Sequence, residues 1–273
     1  GIGHSARDTF EMLNDNQLTI EQKAFSIGVR IEHPQKMINK SQYGKFAEHK
    51  ALGAADYKLS YHAANGRTAY TFCMCPGGYV VASISEPGTV VTNGMSLHSR
   101  ANANANSALL VNVTPNDFPS KHPLAGVEFQ KQYEETAYRL AGKNYNVPVQ
   151  LVKDFLADKN STTLGKVKPT YKPGYSFVKM SQILPKFATE TLKEAIKDFD
   201  RKLNGFTMDD AILSGPETRS SSPIRMVRND FHESNISGLY PMGEGAGYAG
   251  GIMSSAIDGI RTAEIIIQKY NYK

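Results

Sequence analysis

The apolar positions of this chain change period as it proceeds. After an opening turn, Asp8-Thr9-Phe10-Glu11 has the shape of a capping box, with Asp8 as N-cap and Glu11 as its partner. Phe10, Met12 and Leu13 add apolar contacts, so a short helix is predicted to end near residues 14–16. Runs rich in Val, Ile, Tyr and Thr follow at 24–32, 57–63, 67–75, 79–85, 89–92 and 108–113. Ala64-Asn65-Gly66, Pro76-Gly77-Gly78 and Pro87-Gly88 punctuate them, which predicts meandering antiparallel sheet. From there a helical period takes over, at 126–141, at 147–157 and most clearly at 189–203. In the last of these Leu192, Ala195, Ile196, Phe199 and Leu203 form one stripe and Gly205 follows the end. Residues 161–175 read as a loop, and 211–213 and 224–227 as short strands. A final helix is predicted over 250–270, with Ile252, Ala256, Ile260, Ala263 and Ile267 in register.

Composition narrows the class. Of 273 residues, 40% are hydrophobic and 21% charged, which excludes disorder and predicts a chain that buries a core. No apolar run approaches the roughly 20 residues of a membrane helix, so no membrane partner is expected. Two cysteines exclude a disulfide framework and, as reduced thiols, point to the cytoplasm. The net charge of +5 suits an anionic ligand, but the lysines are scattered from Lys23 to Lys273 and read as a solvated surface. A nucleic-acid or RNA-associated binding module without redox activity is the rival reading, motivated by the basic balance and the Tyr-rich strands. Against it stands the absence of an RNA-binding motif. The chain opens Gly1-Ile2-Gly3-His4-Ser5 without methionine and goes straight into a turn that would normally follow a strand, which reads as a piece of a longer protein.

Candidate chemistry concentrates at the C-terminal end. From Gly238 to Gly251 the sequence reads as a short apolar strand, an acidic residue, Glu244, between Gly243 and Gly245, and a Gly-rich lead-in to the last helix through Gly247, Tyr248, Ala249, Gly250 and Gly251. Glycines let a ligand approach the backbone, and a helix N-terminus offers free N–H groups. Tight helix–strand packing explains the same glycines equally well. His4, Ser5, Arg7 and Asp8 combine a base, a hydroxyl and two charges, although neighbours in sequence do not form a triad. Cys73 and Cys75 are placed on one face of a strand, either as a redox pair or as small buried packing groups, and a disulfide across that spacing would be strained. Arg219, Arg225 and Arg228 would suit a phosphate or carboxylate, or internal salt bridges. No metal-ligand spacing is found.

Several blocks, taken together and in order, carry a resemblance. They are Gly3-His4-Ser5-Ala6-Arg7-Asp8-Thr9, Arg30-Ile31-Glu32-His33-Pro34-Gln35, Tyr70-Thr71-Phe72-Cys73-Met74-Cys75-Pro76-Gly77-Gly78, Thr92-Asn93-Gly94-Met95-Ser96, Gly215-Pro216-Glu217-Thr218-Arg219 and the segment from Gly238 to Gly251. The chain resembles the C-terminal part of the uncharacterised FAD-dependent dehydrogenase family, bacterial flavoproteins with a split dinucleotide-binding domain. The resemblance implies an α+β fold, with an antiparallel or mixed sheet and helices inserted in a split Rossmann-like FAD domain. Residues 1–16 and 226–273 would be the remnant of that domain, and 17–225 an inserted capping and substrate domain. It implies FAD as cofactor of the full-length oxidoreductase, held near Gly3, Arg7, Gly243, Glu244, Gly245, Gly247, Tyr248, Ala249, Gly250 and Gly251. His4, Arg7, Cys73, Cys75 and Arg219 are the catalytic candidates. Two stretches, Gly1-Ile2-Gly3-His4-Ser5-Ala6 and Gly245-Ala246-Gly247-Tyr248-Ala249-Gly250, fit the dinucleotide-fingerprint spelling without the strand context of an ADP site. The family places the true fingerprint upstream of Gly1, so the piece alone is expected to lack bound FAD and activity. The small-molecule substrate, the electron acceptor and the oligomeric state are not legible.

Overall fold

A computed structural model describes residues 1–270. Its elements run α1 (Arg7–Asp15), β1 (Ile20–Gln22), β2 (Phe25–Pro34), α2 (Gln35–Tyr43), β3 (Ser60–His62), β4 (Thr68–Cys75), β5 (Gly78–Ala82), β6 (Thr92–Ser96), β7 (Asn104–Val113), α3 (Ala125–Leu140), β8 (Val147–Leu151), α4 (Val152–Leu156), β9 (Tyr175–Phe177), α5 (Lys186–Lys202), β10 (Ile212–Glu217), β11 (Ile224–Met226) and α6 (Ile252–Tyr270). The fold is mixed α/β. Two compact units divide the chain: 1–26, 113–131 and 219–273 form unit one, and 27–112 and 132–218 form unit two.

In unit one β1 pairs antiparallel with β11, Ile20 opposite Met226. Phe10, Leu18, Ile20, Leu124, Val127, Ile224, Met226 and Ala246 make its core. Helix α1 begins two residues earlier than expected, with Ala6 at the N-cap and no side-chain cap. The capping-box reading of Asp8 is therefore corrected. Asp8 lies inside the first turn, where its carboxylate meets the positive end of the helix dipole and accepts from the Thr9 N–H at 2.7 Å. The predicted strand after Gly238 is also absent. Gly238 has φ +80°, Pro241 lacks an N–H, and the Leu239 N–H turns back onto the Ile236 carbonyl. Helix α6 forms as predicted, yet only Thr262 among its residues is buried. Ile252, Met253, Ile257, Ile260 and Ile267 are all exposed.

Unit two is built on a seven-stranded sheet in the order β3-β4-β7-β2-β10-β8-β9. It is mixed: β10 pairs antiparallel with β2 and β8, whereas β8 and β9 run parallel. Strands β2 and β7 lie so close that a Cβ on Gly28 would fall 1.8 Å from the Leu109 carbonyl oxygen. Helix α5 packs on β3 and β4, burying Leu192, Ala195, Ile196 and Phe199 as the stripe predicted. Two expectations are corrected here. Residues 147–151 are a strand, not the start of a helix, because all five are buried and no alternation marks the switch into α4. The run 89–92 gives way to β6, which starts at Thr92. The Asn/Ala stretch at 102–106 enters β7, where Asn104 and Asn106 are core residues with buried charged partners.

Candidate functional site

The opening turn meets the segment around Glu244 in unit one. His4 Nδ1 lies 3.0 Å from Glu244 Oε1, each side chain about a quarter exposed. A Cβ on Gly245 would strike the Ile2 carbonyl oxygen at 2.2 Å, and one on Gly247 (φ +86°) the Ile224 carbonyl oxygen at 2.4 Å. Those two glycines are thus required by chain packing. Gly3 and Gly250 differ: nothing lies within 4 Å of a Cβ on either, and both are exposed. They leave open backbone beside Glu244 and ahead of α6, a surface that an extended cofactor could approach. Gly251 carries its carbonyl toward the first turn of α6, accepting from Ser255 N–H at 2.9 Å.

A cationic setting surrounds this turn. Lys23 is partly buried, and its pKa is lowered by burial and by the Arg225 guanidinium, against the pull of Glu244. Arg228 lies over the Tyr248 ring at 3.7 Å and Arg225 at 5.0 Å. Tyr248 donates its hydroxyl to the Met226 carbonyl at 3.0 Å. Arg228 forks onto Asp258 of α6 at 2.7 and 3.0 Å, and the Gly243 N–H donates to the same carboxylate at 2.8 Å. The Arg228 hydrogen bond holds the Asp258 carboxyl below the usual range. Of the arginine readings left open, Arg228 therefore serves as an internal bridge that moors α6. Arg7 is buried on α1 and donates to Gln130 Oε1 at 3.1 Å, Ala249 is half-buried, and Arg219 is buried in the same unit.

Unit two holds a second constellation. Arg30 is fully buried and gives Nε and Nη2 to the two Glu217 oxygens at 2.7 and 2.9 Å. Its Nη1 donates to Asn106 Oδ1 at 2.8 Å and to the Cys73 carbonyl at 3.1 Å. Its Nη2 reaches the exposed Asn93 at 3.3 Å. Gly94 is glycine because a Cβ there would sit 2.0 Å from Arg30 Nη1. Neither cysteine is in a disulfide; Cys73 is exposed and Cys75 half-buried, so the reading of both as buried packing groups is corrected. Nor do they alternate regularly on a strand face, since Cys73 has φ +41° and the register jumps between Phe72 and Cys75. Nearby in sequence, Glu32 is buried and accepts from Thr170 N–H, Thr170 Oγ1 and Asn104 Nδ2; burial raises its pKa against those bonds.

Sequence reasoning missed the roles of Arg30, Glu32, Asn93 and Asn106. The available signal was a pair of charges, Arg30 and Glu32, inside a strand otherwise made of Ile27, Val29 and Ile31. Among the described residues no group of three or more His, Cys, Asp or Glu is poised to hold a metal. Nor is any described helix long and apolar enough to cross a membrane.

A sequence model of the family described as "FAD-dependent protein, C-terminal domain-like" matches residues 24–220. An uncharacterised protein of Clostridium beijerinckii is 55% identical over 272 residues, covering 99% of this chain and 51% of that protein. The chain thus spans about half the length of the relative it matches. These matches bear out the resemblance read from the motif blocks.

Proposed function

This chain belongs to the FAD-dependent protein, C-terminal domain-like family, and from that premise we propose that it is the C-terminal part of an FAD-dependent oxidoreductase. In this reading residues 1–16 and 226–273 complete a split Rossmann-like FAD-binding domain whose remainder lies in the longer protein. Residues 17–225 are the insertion that caps the flavin and forms the substrate cavity. The observation that carries the reading is the meeting of the opening turn with Glu244, which leaves Gly3 and Gly250 open while Gly245 and Gly247 are closed. Open glycines ahead of a helix N-terminus are what a phosphate- or hydroxyl-bearing cofactor needs.

Within the site, Glu244 accepts a ribityl or ribose hydroxyl, and His4 orients its carboxylate. Lys23 and Arg225 supply positive potential toward the pyrophosphate, and the Gly250-Gly251 backbone offers N–H groups. FAD contributes the two-electron chemistry, while these side chains bind and orient it. The exposed apolar face of α6 supports the same reading, because a helix that presents Ile252, Ile257, Ile260 and Ile267 suits packing against the sheet of the completed domain. Taken alone, the chain is expected to hold FAD weakly.

The test is flavin content after gel filtration of the longer protein and its Glu244→Ala variant. A charge-assisted hydrogen bond is worth roughly 1.5–3 kcal/mol, so the variant should lose about tenfold to a hundredfold in affinity. Equal flavin in both would remove Glu244 from the site.

A further inference from the structure

We propose that Cys73 and Cys75 are a redox-active dithiol that closes to an internal disulfide by exchange with low-molecular-weight disulfides. The proposal stands on unit two alone and holds whether or not flavin is bound.

On a straight strand, residues two apart stand about 6.6 Å from each other with parallel side chains, which holds their sulfurs apart. Strand β4 is not straight at this point. Phe72 pairs with Ala108 and Cys75 with Asn106, so two residues of β4 stand against the single residue Ser107 of β7. Cys73 takes up the extra length in a left-handed conformation. The turn brings Cys75 Sγ back to 3.3 Å from the Cys73 carbonyl oxygen. The spacing objection, sound for a regular strand, does not apply to this bulge.

The surroundings separate the roles of the two thiols. Cys73 is exposed and meets the small disulfide; Cys75 is half-buried and resolves. Arg30 Nη1 stands 3.8 Å from Cys75 Sγ. Asn106, the ladder partner of Cys75, is fully buried and turns its carbonyl oxygen to Arg30, because a guanidinium only donates. That choice fixes its Nδ2 as a buried donor with no partner among the described residues. A sulfur that gains negative charge as it attacks or leaves would supply the missing acceptor. Exposure of Cys73 also removes the packing explanation for its being cysteine.

The exchange balances. Cys73 gives its proton to water, and its thiolate attacks one sulfur of R–S–S–R, expelling RS⁻, which takes up a proton. Cys75 then loses its proton and attacks the Cys73 sulfur, expelling the second RS⁻, which is protonated in turn. The protein surrenders two electrons and forms one S–S bond, and the small disulfide becomes two thiols.

Oxidised glutathione is the probe, read by mass spectrometry on the tryptic peptide 68–100, which carries both cysteines. The unmodified protein should lose both thiols and keep no glutathione, and Cys75→Ser should hold one glutathione on Cys73. In Cys73→Ser the fast reaction should vanish. A wild-type peptide that retains glutathione, or keeps both thiols, overturns the proposal. Should Cys75→Ser fail to fold, a trivalent phenylarsenical tests the unmodified protein. One equivalent should shield both thiols from alkylation, and failure to shield them overturns the proposal as well.

Discussion

Arg30 is the fully buried member of an ion pair, so its value to the fold depends on its partner. Removing one side of such a pair leaves an uncompensated charge, which costs roughly 3–5 kcal/mol. Arg30→Met should lower stability by about that much in urea unfolding, and adding Glu217→Leu should recover most of it. A single variant as stable as the parent would show that the cluster is solvated. His33 gives a pH prediction. It is fully buried, its Nε2 faces the Phe206 carbonyl at 2.9 Å, and burial lowers its pKa from 6.5 to about 4. Between those values the unfolded chain binds a proton that the folded chain refuses, so stability must fall as pH drops from about 6.5 to about 4. The loss totals roughly 3 kcal/mol, and His33→Gln should flatten that part of the profile when urea midpoints are compared at pH 7 and pH 5. An unchanged pH slope in the variant would mean that another group dominates. These residues were hard to read because alternation normally marks one wet face. In β2 the strand is covered on both sides, and Arg30, Glu32 and His33 Nε2 find hydrogen-bond partners in Glu217, Asn104 and Phe206, all far away in sequence.

Helices α3, α5 and α6 were legible because a repeated apolar stripe over four or five turns admits no other period. The short elements were not. Five fully buried residues in β8 carry no period, and the helix that follows immediately lent them its own pattern. Likewise the polar side chains of Asn104 and Asn106 hide that both are strand residues, whose amides serve buried carboxylate and guanidinium groups. The glycine-rich segment was legible as a site but not as a shape, since its apparent strand is a chain of turns. For α6 the mooring is polar: Arg228 to Asp258, His232 to Thr262 at 2.7 Å, and Lys269 to Glu233 at 2.6 Å. Arg228→Leu removes the first of these and, with it, the hydrogen bond that Arg228 Nη1 donates to the Pro241 carbonyl at 2.7 Å. Amide hydrogen exchange should then speed up through α6 and residues 240–248 while β10 and β8 keep their protection. Uniform acceleration everywhere would indicate global destabilisation instead.

At the scale of the molecule, the opening turn and the turn around Glu244 meet although His4 and Glu244 stand 240 residues apart in sequence, and two kinds of glycine are found there. Gly245 and Gly247 are shaped by the chain itself. Gly3 and Gly250 face open space, and on the proposed reading that space belongs to a flavin held jointly with the rest of the longer protein. A side chain at Gly250 meets no atom of this chain within 4 Å, so it should cost the fold little yet stand where the cofactor lies. The deciding measurement is the flavin-to-protein ratio, from the visible absorbance of the longer protein after gel filtration, for the parent and for Gly250→Val. The parent should carry close to one flavin per chain and the variant little, with equal melting temperatures for the two flavin-stripped proteins. A colourless parent, or a variant that keeps its flavin, would contradict the assignment.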